Sequence, residues 1–361
     1  MKLEKGEISS SQLMLLVGSF LQGGLLSLSF AYAISRQDTW LAVLAALFIG
    51  LLFALVYIAL ANRFPGKTLM QINDLIFGPF LGKLVSIQYL YLFISSLSVY
   101  LWFIGDFVLT YLMPETPIIL IMIMFSLLCA YAVRQGIEVI ARICFIAIIV
   151  TSLVILITFA LLIKDMKYTY FLPIFEVPIG ELIQSTHIIM HVSFSEVLVF
   201  LMVIPYMNKP KQTKKSVLLG MLIGGLGLLT ATIRNIAALG PLSAIVTSPS
   251  LESVRLIDIG KVITRLEVLV AMAQILLLFI ITSVLYYAVV LGIAQITKLR
   301  SYKPLVLPIG IFAITLSLIS YESSMQLRYS TRYITPIFTV WFYFILPLLS
   351  LLVAKLRKLP K

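Results

Sequence analysis

Three acidic side chains, Asp106, Glu196 and Glu267, fall inside long apolar runs of this 361-residue chain. A charged group held in hydrocarbon is costly, so an acid retained there points to work on a cation, an ammonium group or a proton. Glu196 is the sharpest of the three, because it follows the polar interruption His191, Ser193 and Ser195 within one apolar run. At that position a carboxylate binds a substrate ammonium, carries a proton, or caps the half-helix that follows. Asp106 lies about 11 Å of helix from the outer end of its run, on a face with Trp102, Val99 and Ser95, which predicts an outer vestibule or a coupling role. Glu267 is about 46 Å of helix from Lys298, beside Arg265 and Lys261, so a structural ion pair at the outer boundary is expected.

The two histidines, His187 and His191, are four apart and share a helical face, which is half of a metal site. No HExxH pattern, cysteine ligand or second acid stands near them, so packing or vestibule roles are expected and no metal or cofactor is. Cys129 and Cys144 lie in apolar runs, against a disulfide. The chain has no phosphate-binding loop and no nucleophile elbow, and nothing in it points to an enzyme.

What must position Glu196 is a helix that breaks at mid-membrane, and a second such break stands near the start. Ser19 to Ser29 reads SFLQGGLLSLS, with Gln22, Gly23 and Gly24 in the middle of an apolar run. Tandem glycines weaken a helix where hydrocarbon enforces one, and non-helical backbone at that depth is tolerated only in protein or at a cavity. The bland alternative is close helix packing through glycine. Depth favours the site: Glu7 to Gly23 spans about 24 Å of helix, and Glu196 to Lys209 about 20 Å, so both breaks fall near the middle of a core about 30 Å thick. Thr282, Ser283, Tyr286 and Tyr287, about 17 to 24 Å from the inner surface, share that depth. Thr282 with Tyr286, and Ser283 with Tyr287, form two hydroxyl faces, and spacing leaves open which one lines a cavity.

At 61% hydrophobic and 12% charged residues, with mean hydropathy +1.09, the chain has the composition of an integral membrane protein. Its net charge of +12 is scattered between apolar runs, so it sets topology, with no role for nucleic acid. Ten apolar runs are expected, at roughly 9–33, 39–62, 84–112, 117–133, 139–163, 180–206, 215–239, 262–297, 304–321 and 334–354. An even number puts both termini on one side of a multi-pass membrane protein. With the termini in the cytosol, 18 of the 27 lysines and arginines face inward and 9 outward. The stretch at about 67–78 predicts a short interfacial helix, and Pro241 to Gly260 an outer cap.

Ten helices divide into an inverted pair of five-helix repeats, 1–163 and 164–361, with the first and sixth helices in corresponding places. Matched interruptions in the two halves point to a transporter-type central site. The expected fold is all-α, LeuT-like, with helices 1 and 6 unwound at the midplane. The expected pocket takes Gln22, Gly23 and Gly24 from the first helix and His191, Ser193, Phe194, Ser195 and Glu196 from the sixth. Trp102 joins them from the third helix, and Thr282, Ser283, Tyr286 and Tyr287 from the eighth.

Several motifs then resemble a known family. ISSSQLMLLVGSF at Ile8 to Phe20, RQDTWL at Arg36 to Leu41, RFPGKTL at Arg63 to Leu69 and GPFLGK at Gly78 to Lys83 resemble the B subunits of spore germinant receptors, within the amino acid, polyamine and organocation superfamily. So do FSEVLVFLMVIPYMNKPK at Phe194 to Lys211 and TRLE at Thr264 to Glu267. LSLSFAY after the first break, where relatives often carry a Leu-Pro pair, and TRLE in place of a doubly acidic form depart from the family pattern. The resemblance implies the inner membrane of a dormant spore, an A subunit and a lipoprotein C subunit as partners, and a small nutrient, such as an amino acid, bound at the centre to trigger germination. The rival class is a proton- or sodium-coupled amino acid transporter, and a third is a structural scaffold that binds no ligand.

Overall fold

The computed structural model describes residues 4, 6–257 and 266–359, and all of its regular structure is helical. Nine helices among the described residues are long and apolar enough to cross a membrane. The expected first run is absent from that set because its inner half, α1 (Ser10–Gln22), has 13 residues and stops at Gly23. Its outer half, α2 (Ser29–Ser35), runs through a 3-10 turn at Arg36–Asp38 into α3 (Thr39–Arg63). The remaining expected runs each fall on a spanning helix, among them α5 (Pro79–Tyr111), α6 (Ile118–Gln135) and α7 (Ile137–Leu162). Before them, α4 (Leu69–Phe77) is the short helix expected at about 67–78.

In the second half of the chain, α8 (Ile179–Ile189) leads into the sixth-run break, and α9 (Thr213–Leu239) crosses after it. The expected cap contains α10 (Pro249–Arg255) with an Arg255–Glu252 ion pair at 2.9 Å. Then come α11 (Glu267–Ile296) and α12 (Val306–Ser320). The last crossing is α13 (Ser324–Tyr329), α14 (Thr335–Val340) and α15 (Leu346–Leu356), joined by π turns at Ser330–Ile334 and Trp341–Ile345. Lys261 and Arg265, the expected partners of Glu267, and the first two residues of TRLE lie outside the described residues.

Both breaks are changes of helical pitch rather than unwound stretches. The first helix tightens to a 3-10 turn at Gly23–Leu25, with Gly23 at φ −58° and ψ −22° and Leu28 at φ −61° and ψ −24°. The sixth widens to a π turn at Met190–Phe194 and then tightens to 3-10 over Ser195–Met202. The physical reason is local: Gly24 O still accepts from the amides of Ser27 and Leu28, so the backbone groups keep partners inside the chain.

Close approach fixes these helices in place. Gly224 lies so near α1 that a Cβ there would sit 2.7 Å from the Leu21 Cβ and 2.8 Å from the Gly18 carbonyl. With Gly220 one turn away against Val17, this is small-residue packing of the kind that joins membrane helices. The motif residues secure the ends. Asp38, fully buried, accepts from the amides of Phe175 at 3.1 Å and Val177 at 3.4 Å, tying the α2–α3 turn to the approach to α8. Thr68 caps α4 with Gln71 and donates to Gln295 of α11 at 2.6 Å. At the N-terminal end, Tyr302 donates to Glu4 at 2.7 Å, and Ile8 pairs with the end of the sixth run through Tyr206 and Asn208.

Candidate ligand-binding site

The interrupted sixth helix places Glu196 on the wall of a cavity of about 80 Å³. Glu196 is 4% exposed, and Tyr100 of α5 donates to its Oε2 at 2.7 Å. The Tyr100 hydroxyl also lies 3.2 Å from the Val192 carbonyl, within the π turn where helical pairing is disturbed. One phenol thus holds the carboxylate and the break in register. His191 faces the same cavity one turn earlier, its ring 6.3 Å from Tyr343, and its Nδ1 has no hydrogen-bond partner among the described residues.

The opposite walls come from α5, whose Ser95 and Val99 share the expected Asp106 face, and from the last crossing, which the spacing of glycines and acids did not single out. α5 presents Ser95, Ser96, Val99 and Phe103, and the last crossing presents Thr331, Thr335 and Thr339. The threonines stand four apart, a hydroxyl stripe legible in the sequence once helical spacing is applied to the final apolar run. Ser27 of the first break closes the ring, its buried hydroxyl unpartnered among the described residues. Glu196 is the one carboxylate on this wall, and no lysine or arginine among the described residues joins it.

The other expected residues fall into three groups. Gly24 and Ser193 meet back to back where the two breaks cross: a Cβ on Gly24 would overlap the Ser193 Oγ. Gly23 faces the Leu277 carbonyl and Ile281 of α11, and Ser195 is buried nearby. These residues build the crossing rather than the cavity wall. Gln22 points the other way, accepting from Thr151 at 2.9 Å with its amide nitrogen against Gly227, and Phe194 packs on Gly50 of α3. Trp102 packs with Met122 and Leu327, its ring 6.2 Å from Tyr321.

The α11 hydroxyls do not reach this cavity. Tyr286 donates to the Val306 carbonyl of α12, and Tyr287 stacks edge-on against Tyr302 at 5.7 Å, toward the N-terminal end of the bundle. Thr282 and Ser283 are fully buried without a hydrogen bond among the described residues. Position along the helix is insufficient, because α11 presents Tyr286 to α12 and Tyr287 to Tyr302. His187, four residues before His191, opens onto an apolar groove between α3 and α8, so the two rings do not converge on a metal. Among the described residues no group of three ligating side chains forms.

A second, smaller space of about 30 Å³ is lined by Asp106, Phe107, Ser324 and Arg328, and the sequence expectation places Asp106 in an outer vestibule. Phe103 lines both spaces. Its ring lies 5.7 Å from Phe30 of α2 and 5.9 Å from Tyr100, so an aromatic layer separates Asp106 from Glu196.

Paired helix breaks around a buried carboxylate, in a bundle of membrane-length helices, define a LeuT-type transporter fold. Solved structures bear this out. The chain superposes on Mhp1, a nucleobase-cation-symport-1 family transporter closed around bromovinylhydantoin, with TM-score 0.66 at 12% identity, covering 94% of this chain and 79% of that one. It superposes on a Na+-coupled sialic acid symporter with TM-score 0.61 at 12% identity over 97% and 89%. A manganese transporter of Eremococcus coleocola gives 0.61 at 13% over 96% and 81%. The family model described as spore germination protein matches residues 7–325, so the chain belongs to the spore germination permease family. Spore germination protein KB of Bacillus subtilis is 28% identical over 99% of this chain and 96% of its own length. Spore germination protein YndE of the same organism is 24% identical over 95% of each.

Proposed function

We propose that the chain is the nutrient-sensing membrane subunit of a spore germinant receptor, binding a small molecule in the Glu196 cavity and passing that event on as a germination signal. The observation that carries this reading is Glu196 itself. A carboxylate 4% exposed, accepting from the Tyr100 phenol and facing a cavity, has capacity left for an ammonium group, a cation or a proton. The surrounding hydroxyls supply neutral hydrogen bonds, and Val99 and Phe103 supply apolar contact. The site residues are accordingly His191 and Glu196, with Ser27, Ser96, Tyr100, Thr335 and Thr339 beside them, while Gly23, Gly24, Ser193 and Ser195 shape the crossing behind.

The same reading takes the chain as two inverted five-helix halves with both termini in the cytosol, in the inner membrane of the spore, beside A and C subunits. It takes no catalytic step. Replacing Glu196 with Gln in spores tests it: the variant assembles and loses the nutrient response, and a normal response refutes the assignment of the cavity.

A second reading is a proton- or sodium-coupled transporter, favoured by the symporters among the fold relatives. Uptake of a labelled nutrient into proteoliposomes holding this chain alone supports that reading. Binding without uptake supports the sensor.

A further inference from the structure

Beside the Glu196 cavity lies a larger cleft of about 250 Å³, and the two have Leu92, Ser95, Tyr321, Thr335 and Thr339 as common wall. The cleft runs between α5, α12 and the last crossing, and its further wall includes Tyr91, Ser98, Leu316, Ser320, Phe338 and Phe342. Its flanks carry exposed apolar side chains on all three elements: Tyr91 is 65% exposed on α5, Ile319 76% on α12, and Ile337 73% on α14. Tyr91 stands near the middle of α5, about 18 Å of helix from Pro79. In a bundle of membrane-length helices, such a surface at mid-helix faces hydrocarbon, so the cleft opens sideways toward the bilayer. Hydroxyls line it nonetheless. Ser98 donates to the Ile94 carbonyl at 2.8 Å, Thr335 to the Ser330 carbonyl at 3.1 Å and Thr339 to the Thr335 carbonyl at 3.0 Å. Each of these hydroxyls gives its proton to its own helix, and what it offers a ligand is an acceptor.

An acceptor-rich wall that ends at a carboxylate matches a head group made of donors. A primary ammonium carries three N–H donors and no acceptor. No lysine or arginine among the described residues lines either space, so a ligand carboxylate would be buried there without a cation to meet it. At about 80 Å³ the inner cavity is small, which suits the ammonium head, and the roomier cleft, with Leu92, Leu316, Phe338 and Phe342 in its wall, suits an apolar chain. We propose that the two spaces form one lateral binding site for amphiphilic primary amines, entered from the bilayer, with the ammonium at Glu196 and the alkyl chain between α5, α12 and the last crossing. The inference rests on reading the Glu196 cavity as the ligand site, and it gives that site a ligand class and a route of entry.

The test uses the full chain in lipid nanodiscs, with thermal unfolding measured against methylamine, n-octylamine and n-octanol. Octylamine is expected to stabilise at a concentration about tenfold or more below octanol, the scale of one charge-assisted hydrogen bond. It is also expected to act below methylamine, because the longer amine alone fills the cleft. Glu196→Gln brings octylamine down to the level of octanol. Ser320→Phe and Leu316→Trp, which fill the cleft from α12, weaken octylamine at least several-fold more than methylamine. The proposal is overturned if octylamine does no better than octanol, if its advantage survives Glu196→Gln, or if neither α12 variant weakens octylamine more than methylamine. Those failures leave the Glu196 cavity standing, because that assignment is judged separately by the spore response of Glu196→Gln.

Discussion

Gly24 and Ser193 occupy each other's side-chain space. The break in the first helix and the break in the sixth therefore touch at one point, and a Cβ on Gly24 would overlap the Ser193 Oγ. Gly24→Ala is expected to cost about 1–3 kcal/mol through overpacking. The double variant Gly24→Ala with Ser193→Gly should recover much of the loss, as neighbours in contact do not add. Thermal unfolding of the four proteins in detergent checks this, and additive losses would disprove the contact.

Tyr100 tethers Glu196 across the cavity. Tyr100→Phe removes the hydroxyl that reaches Oε2 at 2.7 Å and leaves the ring in place. A hydrogen bond to a charged group contributes about 1.5–3 kcal/mol, so ligand affinity or protein stability is expected to fall by that scale. Germination response and thermal unfolding, measured on the same variant, separate the two effects.

Phe103 divides the vestibule from the central cavity. With Ser95→Cys as a reporter on the Glu196 side, a membrane-impermeant thiol reagent applied from the vestibule side should label slowly in the parent protein and at least several-fold faster after Phe103→Ala. Equal rates would show that the aromatic layer is no barrier.

Asp38 illustrates a motif residue whose role is structural. Its carboxylate accepts from two backbone amides, of Phe175 and Val177, in a fully buried setting. Asp38→Ala leaves both amides without that acceptor, and about 1–3 kcal/mol per unsatisfied group is expected to be lost from stability. Ligand specificity measured in the surviving folded fraction should not change. Gln22→Ala should behave the same way, since Gln22 answers Thr151 rather than the cavity.

The sequence by itself determined the membrane class, most of the spanning segments and the two interrupted helices. Hydropathy and rise per residue are properties of one segment at a time, so they survive without knowledge of neighbours. Azimuth is different. Whether Gln22 faces a cavity or Thr151, whether Trp102 meets a ligand or Met122, and whether Tyr286 meets a ligand or Val306 depend on which helix packs alongside. Only the tertiary structure decided these. It also turned the threonine stripe of the last crossing toward the cavity and set Ser324 against Asp106, because a pairing between α5 and α13 spans more than two hundred residues and leaves no local spacing to read.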